Sequence, residues 1–419
     1  MPERTDPNRL VDHFFRHESA RLTAALTRRL GIRHLQLAED AVQVALSRAL
    51  ASWSLRGPPD RPAAWLWQVA SNHAIDTLRR ESKQSSRDAD ELAALINDRA
   101  DSPTSDADEE LDDHLLRMIF VCCDPLVPME SQSSLALKTL CGFSVEEIAR
   151  ALVSRRDGVI KRITRAKARL RDSRIDLSDI NADQIRQRLP DVQRVVYLIF
   201  NEGYSSTQPD RLIRTELCEE AVRLALLLAE HPLTSGSNSA AFLALLLFHA
   251  SRLDARLDDH GAILLFGQQE LHDWDLRLLR EAFTWFEQAT TGSSVSRYHA
   301  EAMIAAEHCR GKLTGATDWA SVLSAYDLLC NLAPSPVHEL NRAIAMAHHR
   351  GAAEGLECMR RIDGSRLADN YYLWHATMGE LHMMSGDHPS AQRCLRRAWE
   401  LAPTQAEKEL VCQKIDGLE

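Results

Sequence analysis

Cationic side chains between positions 155 and 169 are spaced as in a helix that binds DNA. Asp157 is placed to cap a helix over 158–171, in which every third or fourth residue is apolar and points inward. The inward residues are Val159, Ile163, Ala166 and Leu170, and the outward ones are Lys161, Arg162, Arg165 and Arg169. Arg155 and Arg156, just before this helix, are placed for phosphate or base-edge contact.

A shorter helix is predicted immediately upstream. Ser144 can cap its N-terminus, and Glu147, three residues on, completes a capping box. Two helices joined by a tight turn, the second of them basic, form the helix-turn-helix arrangement that enters the major groove of DNA. A basic amphipathic helix for a membrane or an acidic partner is the alternative, but it leaves the capped upstream helix unexplained. The pattern therefore favours DNA binding.

Another set of side chains able to contact DNA lies on a helix predicted over 63–83, with Pro62 in its first turn. Its apolar stripe comprises Ala63, Leu66, Trp67, Ala70, Ala74 and Leu78. Another face carries Asn72, Asp76, Arg79, Arg80 and Lys83, which combine an amide for base edges with cations for phosphates. On spacing alone, a solvated helix face ending in dipole-matching cations is the preferred interpretation.

Catalytic and metal-binding patterns are missing from the sequence. The stretch 201–204 offers one carboxylate and one phenol, but no base, nucleophile or phosphate-binding loop accompanies it. The cysteine pair 122–123 lies near His114 and Cys141, yet these spacings match no usual zinc pattern and fit buried thiols better. We therefore expect no enzymatic activity, no metal and no cofactor.

The composition indicates a globular helical protein of several domains. A length of 419 residues predicts two to four domains, and abundant Ala, Leu and Arg with 6% aromatics favour helix. The nine cysteines lack framework spacing, no secretory signal is present, and no apolar stretch could span a bilayer. We expect a cytoplasmic protein with reduced thiols and no membrane association.

Charge is segregated along the chain. The net charge of -10 argues against a protein that simply coats nucleic acid. Residues 88–113, however, contain eleven acidic residues and one arginine, whereas 146–174 contain ten basic and four acidic residues. The predicted organisation is a helical domain over 1–85, an acidic flexible linker over 86–112, the helix-turn-helix domain over 113–175, a helical extension over 176–295, and repeats over 296–419.

The repeats are predicted from similar helix ends. Leu-Ala-Pro occurs at 332–334 and at 401–403, 69 residues apart, about twice a tetratricopeptide period. Helices starting near Tyr298, Val337 and Tyr371 are each expected to end close to a glycine, namely Gly311, Gly351 and Gly386. An α-solenoid of about three degenerate repeats accounts for these features, and an irregular helical bundle is the alternative.

Several stretches resemble the extracytoplasmic-function group of sigma factors. Residues 40–43 and 65–80 look like regions 2.2 and 2.3–2.4 of that group, and 143–171 is similar to its region 4. Residues 197–205 and 217–224 resemble the long C-terminal extension of one such group, in which a helical domain leads into tetratricopeptide-like repeats. The resemblance thus covers nearly the whole chain and implies an all-α fold.

The resemblance also implies roles for individual residues. Asp40, Val42 and Gln43 would bind the β′ clamp helices of core RNA polymerase, Asn72, Asp76, Arg79 and Arg80 would face the -10 promoter element, and Arg155, Arg156, Lys161, Arg162 and Arg165 would face the -35 element. The resemblance therefore favours a DNA-binding face at Asn72 over the solvated face that spacing alone indicated. Residues 156–159 and Asp124 depart from the pattern, since relatives typically have small-Gly-Thr-Val and histidine there.

The function implied is that of a non-catalytic initiation factor. It would bind core polymerase, through the β′ clamp helices and the β flap, position it on promoter DNA, and stabilise strand opening. The extension would modulate activity by packing on the sigma domains or by binding a protein partner on the repeats. The rivals are a helical-repeat scaffold and a conventional helix-turn-helix regulator that works without polymerase.

Overall fold

A computed structural model describes residues 7–82, 107–152, 154–173, 181–205, 213–258, 261–292, 294–362 and 371–417. The regular elements in these ranges are helices, apart from one isolated antiparallel bridge between Leu257 and Ile263. The all-α fold class predicted from the sequence is therefore confirmed. The chain divides into two compact units: Met1–Gly203 with Glu230–Thr234, and Tyr204–Ala229 with Ser235–Glu419.

The first unit starts with three long helices. They are α1 (Pro7–Leu30), α2 (Leu35–Arg56) and α3 (Pro62–Ser82), and a 3-10 turn, Ile32–His34, precedes α2. Their common core is built from leucine and alanine, and the fully buried alanines Ala41, Ala45 and Ala70 allow α2 and α3 to approach closely. Gly57 ends α2 with a φ of 75°, a backbone conformation that favours glycine.

Among the described residues up to Tyr204, five further helices follow. They are α4 (Ala107–Cys122), α5 (Met129–Thr139), α6 (Val145–Ala151), α7 (Arg156–Ser173) and α8 (Ala182–Tyr204). Because α4 begins at Ala107, the last residues of the predicted linker, 107–112, are helical. The remainder of that linker, and Lys83 of the predicted DNA-facing set, lie outside the described residues.

The second unit is a series of helices. They are α9 (Thr215–Glu230), α10 (Ser237–Ala250), α11 (Leu276–Thr290), α12 (Arg297–Thr314), α13 (Trp319–Leu332), α14 (Pro336–Arg350), α15 (Ala352–Arg361), α16 (Tyr372–Met384), α17 (His388–Leu401) and α18 (Gln405–Asp416). Consecutive helices from α12 onward pack against one another. This packing is compatible with a solenoid, and the repeat interpretation remains a prediction.

Two of the three predicted glycine helix ends are confirmed. Gly351 and Gly386 follow α14 and α16 with φ values of 103° and 78°. The prediction for Gly311 was wrong, because α12 continues to Thr314 and ends at Gly315, where φ is 82°. Gly311 instead allows a close approach, since a Cβ atom there would lie 2.3 Å from the Thr317 hydroxyl oxygen. Small size, not a positive φ, explains this glycine.

Candidate nucleic-acid interface

The helix-turn-helix forms as its capping and apolar spacing predict. The Glu147 backbone N–H donates to Ser144 Oγ at 3.1 Å, and the Ser144 N–H donates to Glu147 Oε2 at 2.7 Å, so the capping box is confirmed. The buried residues of α7 are the predicted ones, Val159, Ile163, Ala166 and Leu170. The helix begins at Arg156, however, so that Asp157 lies within its first turn instead of preceding it.

The five cations expected to face DNA differ in their contacts. Arg155, Lys161 and Arg165 are exposed and form no ion pair with any residue that the structure describes. Arg156 pairs with Glu146, Nε to Oε1, at 2.6 Å. Arg156 and its hydrogen bond hold the pKa of the Glu146 carboxyl below its usual value, and Glu146 in turn raises the pKa of Arg156.

Arg162 is held more firmly than its neighbours. Its guanidinium lies 3.1 Å from Glu130 of α5 and donates to Ser154 Oγ at 2.8 Å. Its side chain is 31% exposed, so it is partly withdrawn from solvent. Among the cations of α7, Lys161 and Arg165 are therefore available for phosphate contact without breaking an existing bond, whereas Arg156 and Arg162 must exchange a carboxylate for DNA.

The second predicted face lies along α3. Leu66, Ala70 and Ala74 are fully buried on one side of this helix. Asn72, Asp76 and Arg80 are exposed and Arg79 is half-buried on the other side, so the structure brings the four predicted residues together. Ala63, which was assigned to the apolar stripe, is exposed because it lies in the first turn of α3, and that assignment was wrong.

Contacts along α3 order the polar face. Gln68 Nε2 donates to Asn72 Oδ1 at 3.0 Å, which leaves the Asn72 amide N–H₂ directed away from that bond. Arg80 Nε donates to the Asp76 carbonyl at 3.1 Å, and Arg79 lies 3.7 Å from the Asp76 carboxylate. The face thus combines a partly satisfied amide with two cations. It could donate to base-edge acceptors and to phosphate oxygens.

Two tryptophans flank the proline-rich loop before α3. The ring centroids of Trp53 and Trp65 are 5.5 Å apart with an interplanar angle of 58°, and both side chains are half-buried. Trp65 was not among the predicted DNA-facing residues, because the sequence could not show whether it was core. The structure places Trp65, in the first turns of α3, against Trp53 in the last turn of α2.

One residue of the predicted polymerase-binding set is misplaced. Asp40 and Gln43 are exposed on α2, as expected, but Val42 is 0% exposed. Val42 belongs with Ala38 and Ala45 to the face of α2 that packs into the core. It cannot contact a partner from there, and its assignment to this surface was wrong. Gln36, whose Nε2 donates to Asp40 Oδ1 at 2.9 Å, shares the outer face instead.

A contact between α2 and the helix-turn-helix was not anticipated. Lys167 Nζ of α7 lies 2.5 Å from Glu39 Oε2 and donates to Gln36 Oε1 at 2.8 Å. Thr139 Oγ1 of α5 donates to Glu39 Oε1 at 2.9 Å. The Lys167 and Glu39 side chains are only 15% and 11% exposed. No local sequence pattern predicts this ion pair, because 128 residues separate Lys167 from Glu39.

The cysteine pair at the end of α4 is part of the core. Cys122 and Cys123 are both buried, and burial raises the pKa of both thiols well above the usual value. The adjacent Asp124 is also buried and pairs with Arg188 of α8, Nη1 to Oδ2, at 2.6 Å. Asp124 therefore attaches α8 to the helix-turn-helix domain. Within the described ranges, no group of three or more potential metal ligands is brought together.

Comparisons with known proteins agree with this organisation at the N-terminus. Residues 14–84 match the model of sigma-70 region 2, and residues 188–290 match a family of unknown function, DUF6596. Over 392 residues the chain is 36% identical to the uncharacterized protein R00370 of Rhizobium meliloti (strain 1021). The matched region covers 92% of this chain and 91% of the relative. Among the described residues, no helix is both long and apolar enough to cross a membrane.

Proposed function

We propose that this chain is a sigma factor of the extracytoplasmic-function group. It belongs to the sigma-70 family and, over 92% of its length, to the family of the Rhizobium meliloti protein. Sigma-70 region 2 implies binding to core RNA polymerase and to promoter DNA. In our proposal Asp40 and Gln43 contact the β′ clamp helices, and the β flap receives the helix-turn-helix domain. The protein acts in the cytoplasm, without a catalytic step of its own.

The observation that carries the proposal is the pair of polar helix faces within one unit. The α3 face, with Asn72, Asp76, Arg79 and Arg80, would contact the -10 element, and its amide and cations fit unstacked bases and phosphates. The α7 face, with Arg155, Arg156, Lys161, Arg162 and Arg165, would contact the -35 element in the major groove. A conventional helix-turn-helix regulator needs only the second of these faces.

Simultaneous contact with both elements requires the unit to open. Elements numbered -10 and -35 lie about 25 base pairs apart, or roughly 85 Å of duplex at ~3.4 Å per base pair. A compact body of about 200 residues has a radius of gyration of only roughly 16 Å. The contact of Lys167 with Glu39 and Gln36 must therefore break when both elements are bound. Binding of α2 to polymerase would supply the free energy for this change.

The extension over 176–419 would modulate activity. Its last helices, from α12 to α18, pack in sequence as a tetratricopeptide-like array would, and such arrays present a concave surface to protein partners. The extension would act either through such a partner or by contact with the sigma domains.

Binding to core polymerase tests the proposal. The full-length protein and core RNA polymerase are mixed, the complex is isolated, and run-off transcription is measured on DNA selected by that complex. We expect a stable complex and transcripts from defined start sites. A protein that binds DNA by itself, fails to bind core polymerase and yields no specific transcript would instead be a conventional regulator. A repeat scaffold would do none of these things.

A further inference from the structure

Two arginines of the second unit share one aromatic ring. Tyr204 is the last residue of α8, and the guanidinium carbon of Arg256 lies 3.7 Å from its ring centroid. The guanidinium carbon of Arg252 lies 5.5 Å from the same centroid and 5.2 Å from that of Phe266. Both arginine side chains are half-buried. Two positive charges are thus held close together in a largely aromatic environment.

The bonds of these arginines go to neutral oxygens. Arg256 donates to the Tyr204 carbonyl, and Arg252 Nη1 donates to Gln269 Oε1 at 3.3 Å. Neither arginine forms an ion pair with a residue in the part of the chain that the structure describes. A guanidinium has five N–H donors, so most of their hydrogen-bonding capacity is unused. A half-buried charge has lost part of its hydration, so a bound anion would compensate for that loss.

Two other titratable groups close to the arginines are uncharged. Burial, and after it the two arginines, lower the pKa of His249 to about 3, so this histidine is uncharged at neutral pH. Burial raises the pKa of the Cys218 thiol, which lies near Arg256, to about 12, so it carries no negative charge either. Burial and the charge of Arg252 both lower the pKa of Arg256 itself. Neither the His249 nor the Cys218 side chain therefore offsets the charge of the two arginines.

A small cavity lies beside Arg256. Its volume is about 40 Å³, and it is lined by Ser205, Ile213, Arg256, Leu257, Ile263, Thr404 and Glu407. Glu407 is the acidic member of the lining, and its carboxylate accepts from the Tyr372 hydroxyl at 2.8 Å and from Thr404 Oγ1 at 2.7 Å, two neutral donors that hold it in place without neutralising it. The other lining residues whose side chains can donate hydrogen bonds are Arg256 and Ser205. Both can donate hydrogen bonds to an anion.

We propose that this cavity binds a small oxyanion, a carboxylate or a phosphate. Arg256 supplies charge-assisted hydrogen bonds, Ser205 supplies a neutral one, and Arg252, which contacts the same Tyr204 ring, adds positive charge nearby. The volume is well below the roughly 300–1,000 Å³ of ordinary small-molecule pockets, so the ligand is small or enters only by its anionic end. Binding would connect the end of α8, the bridge of Leu257 with Ile263, and the start of α18.

The alternative role for these arginines is structural. A cation at the C-terminus of α8 stabilises the helix dipole, and the bond from Arg256 to the Tyr204 carbonyl serves that role. That role accounts for one arginine and one bond. It explains neither the second cation at the same ring nor the cavity beside Arg256. The two roles differ in whether added anion stabilises the protein.

Thermal unfolding of the full chain tests the proposal. The melting temperature is measured with increasing inorganic phosphate, acetate or, as the reference anion, chloride, at constant ionic strength. We expect phosphate or acetate to raise the melting temperature above the chloride value, because a ligand that binds only the native state stabilises it. The anion that gives the larger shift identifies the chemical class.

Variants locate the effect. Arg256→Gln should abolish the anion-dependent shift of the melting temperature. Arg252→Gln, whose described hydrogen bond goes only to Gln269, should lower the affinity for the anion, measured by calorimetry, by roughly tenfold. Arg393→Gln, on the exposed face of α17, is the matched control and should retain the full shift. If Arg256→Gln does not fold, Arg252→Gln decides. The proposal is overturned if neither anion exceeds chloride, or if Arg252→Gln binds as tightly as the unaltered protein.

Discussion

At the scale of single residues, availability distinguishes the cations of α7. Lys161 and Arg165 are exposed and form no ion pair with the described residues, whereas Arg156 and Arg162 already contact carboxylates. A cation that must first break its ion pair with a carboxylate contributes less binding free energy with a phosphate than a cation that is bound only to water. The strongest contributions to DNA binding are therefore expected from Lys161 and Arg165, although all five residues share the predicted role.

Arg165→Ala should weaken promoter binding by about 1–3 kcal/mol if it reads a base, and reduce the salt slope by about 1 if it binds a phosphate. Arg171→Ala is the matched control on the same helix, since Arg171 is exposed but lies outside the predicted set and pairs with Asp172. Affinity of the polymerase complex for promoter DNA, measured over a range of salt concentrations, separates the two outcomes. Equal behaviour of both variants would contradict the assignment of α7.

Arg188→Ala should destabilise the protein by about 3–5 kcal/mol, because it leaves the buried Asp124 carboxylate without its cation. Arg186→Ala, on the same helix, removes an exposed pair with Asp183 and should change the free energy of unfolding by less than about 1 kcal/mol. Urea unfolding of both variants checks the difference. Similar losses would mean that the Asp124 pair does not hold α8 in place.

At the scale of helices, the contact of α7 with α2 holds the helix-turn-helix against the first helices of the unit. Lys167→Glu would place two carboxylates together at Glu39 and should separate the helix-turn-helix from α2. Amide hydrogen exchange around Gln36 should then rise, and the exchanged pair Glu39→Lys with Lys167→Glu should restore protection. Lys161→Glu, exposed on the same helix, should leave it unchanged. If Lys167→Glu exchanges no faster than Lys161→Glu, the contact does not hold the two parts together.

The sequence predicted helices better than it predicted their contacts. The capping box at Ser144 and the inward residues of α7 follow from local spacing, and the structure confirms both. Val42 was assigned to the surface by the resemblance of residues 40–43, but the direction of one position on α2 depends on how the helix packs, and Val42 is buried. The Lys167–Glu39 pair could not be predicted, since it depends on the arrangement of two distant segments.

At the scale of the whole molecule, the described contacts suggest where the chain can be divided. The first compact unit comprises Met1–Gly203, which contains most of α8, and Glu230–Thr234, so a truncation after Leu177 would remove Arg188, the partner of Asp124. A chain ending after Thr234 retains both segments; it should fold and keep binding to core polymerase, and its run-off transcription should differ from that of the full chain. Identical transcription from both would exclude a modulating role for the extension.

Promoter opening tests the central claim most directly. Permanganate reactivity of thymines is measured at the -10 element of a selected promoter, with core polymerase and either the unaltered chain or the variant Asn72→Ala, whose side chain is exposed on α3. We expect reactive thymines only when polymerase and the unaltered chain are both present, and a marked loss with Asn72→Ala. Opening that is independent of the chain, or DNA binding that needs no polymerase and opens nothing, would contradict it.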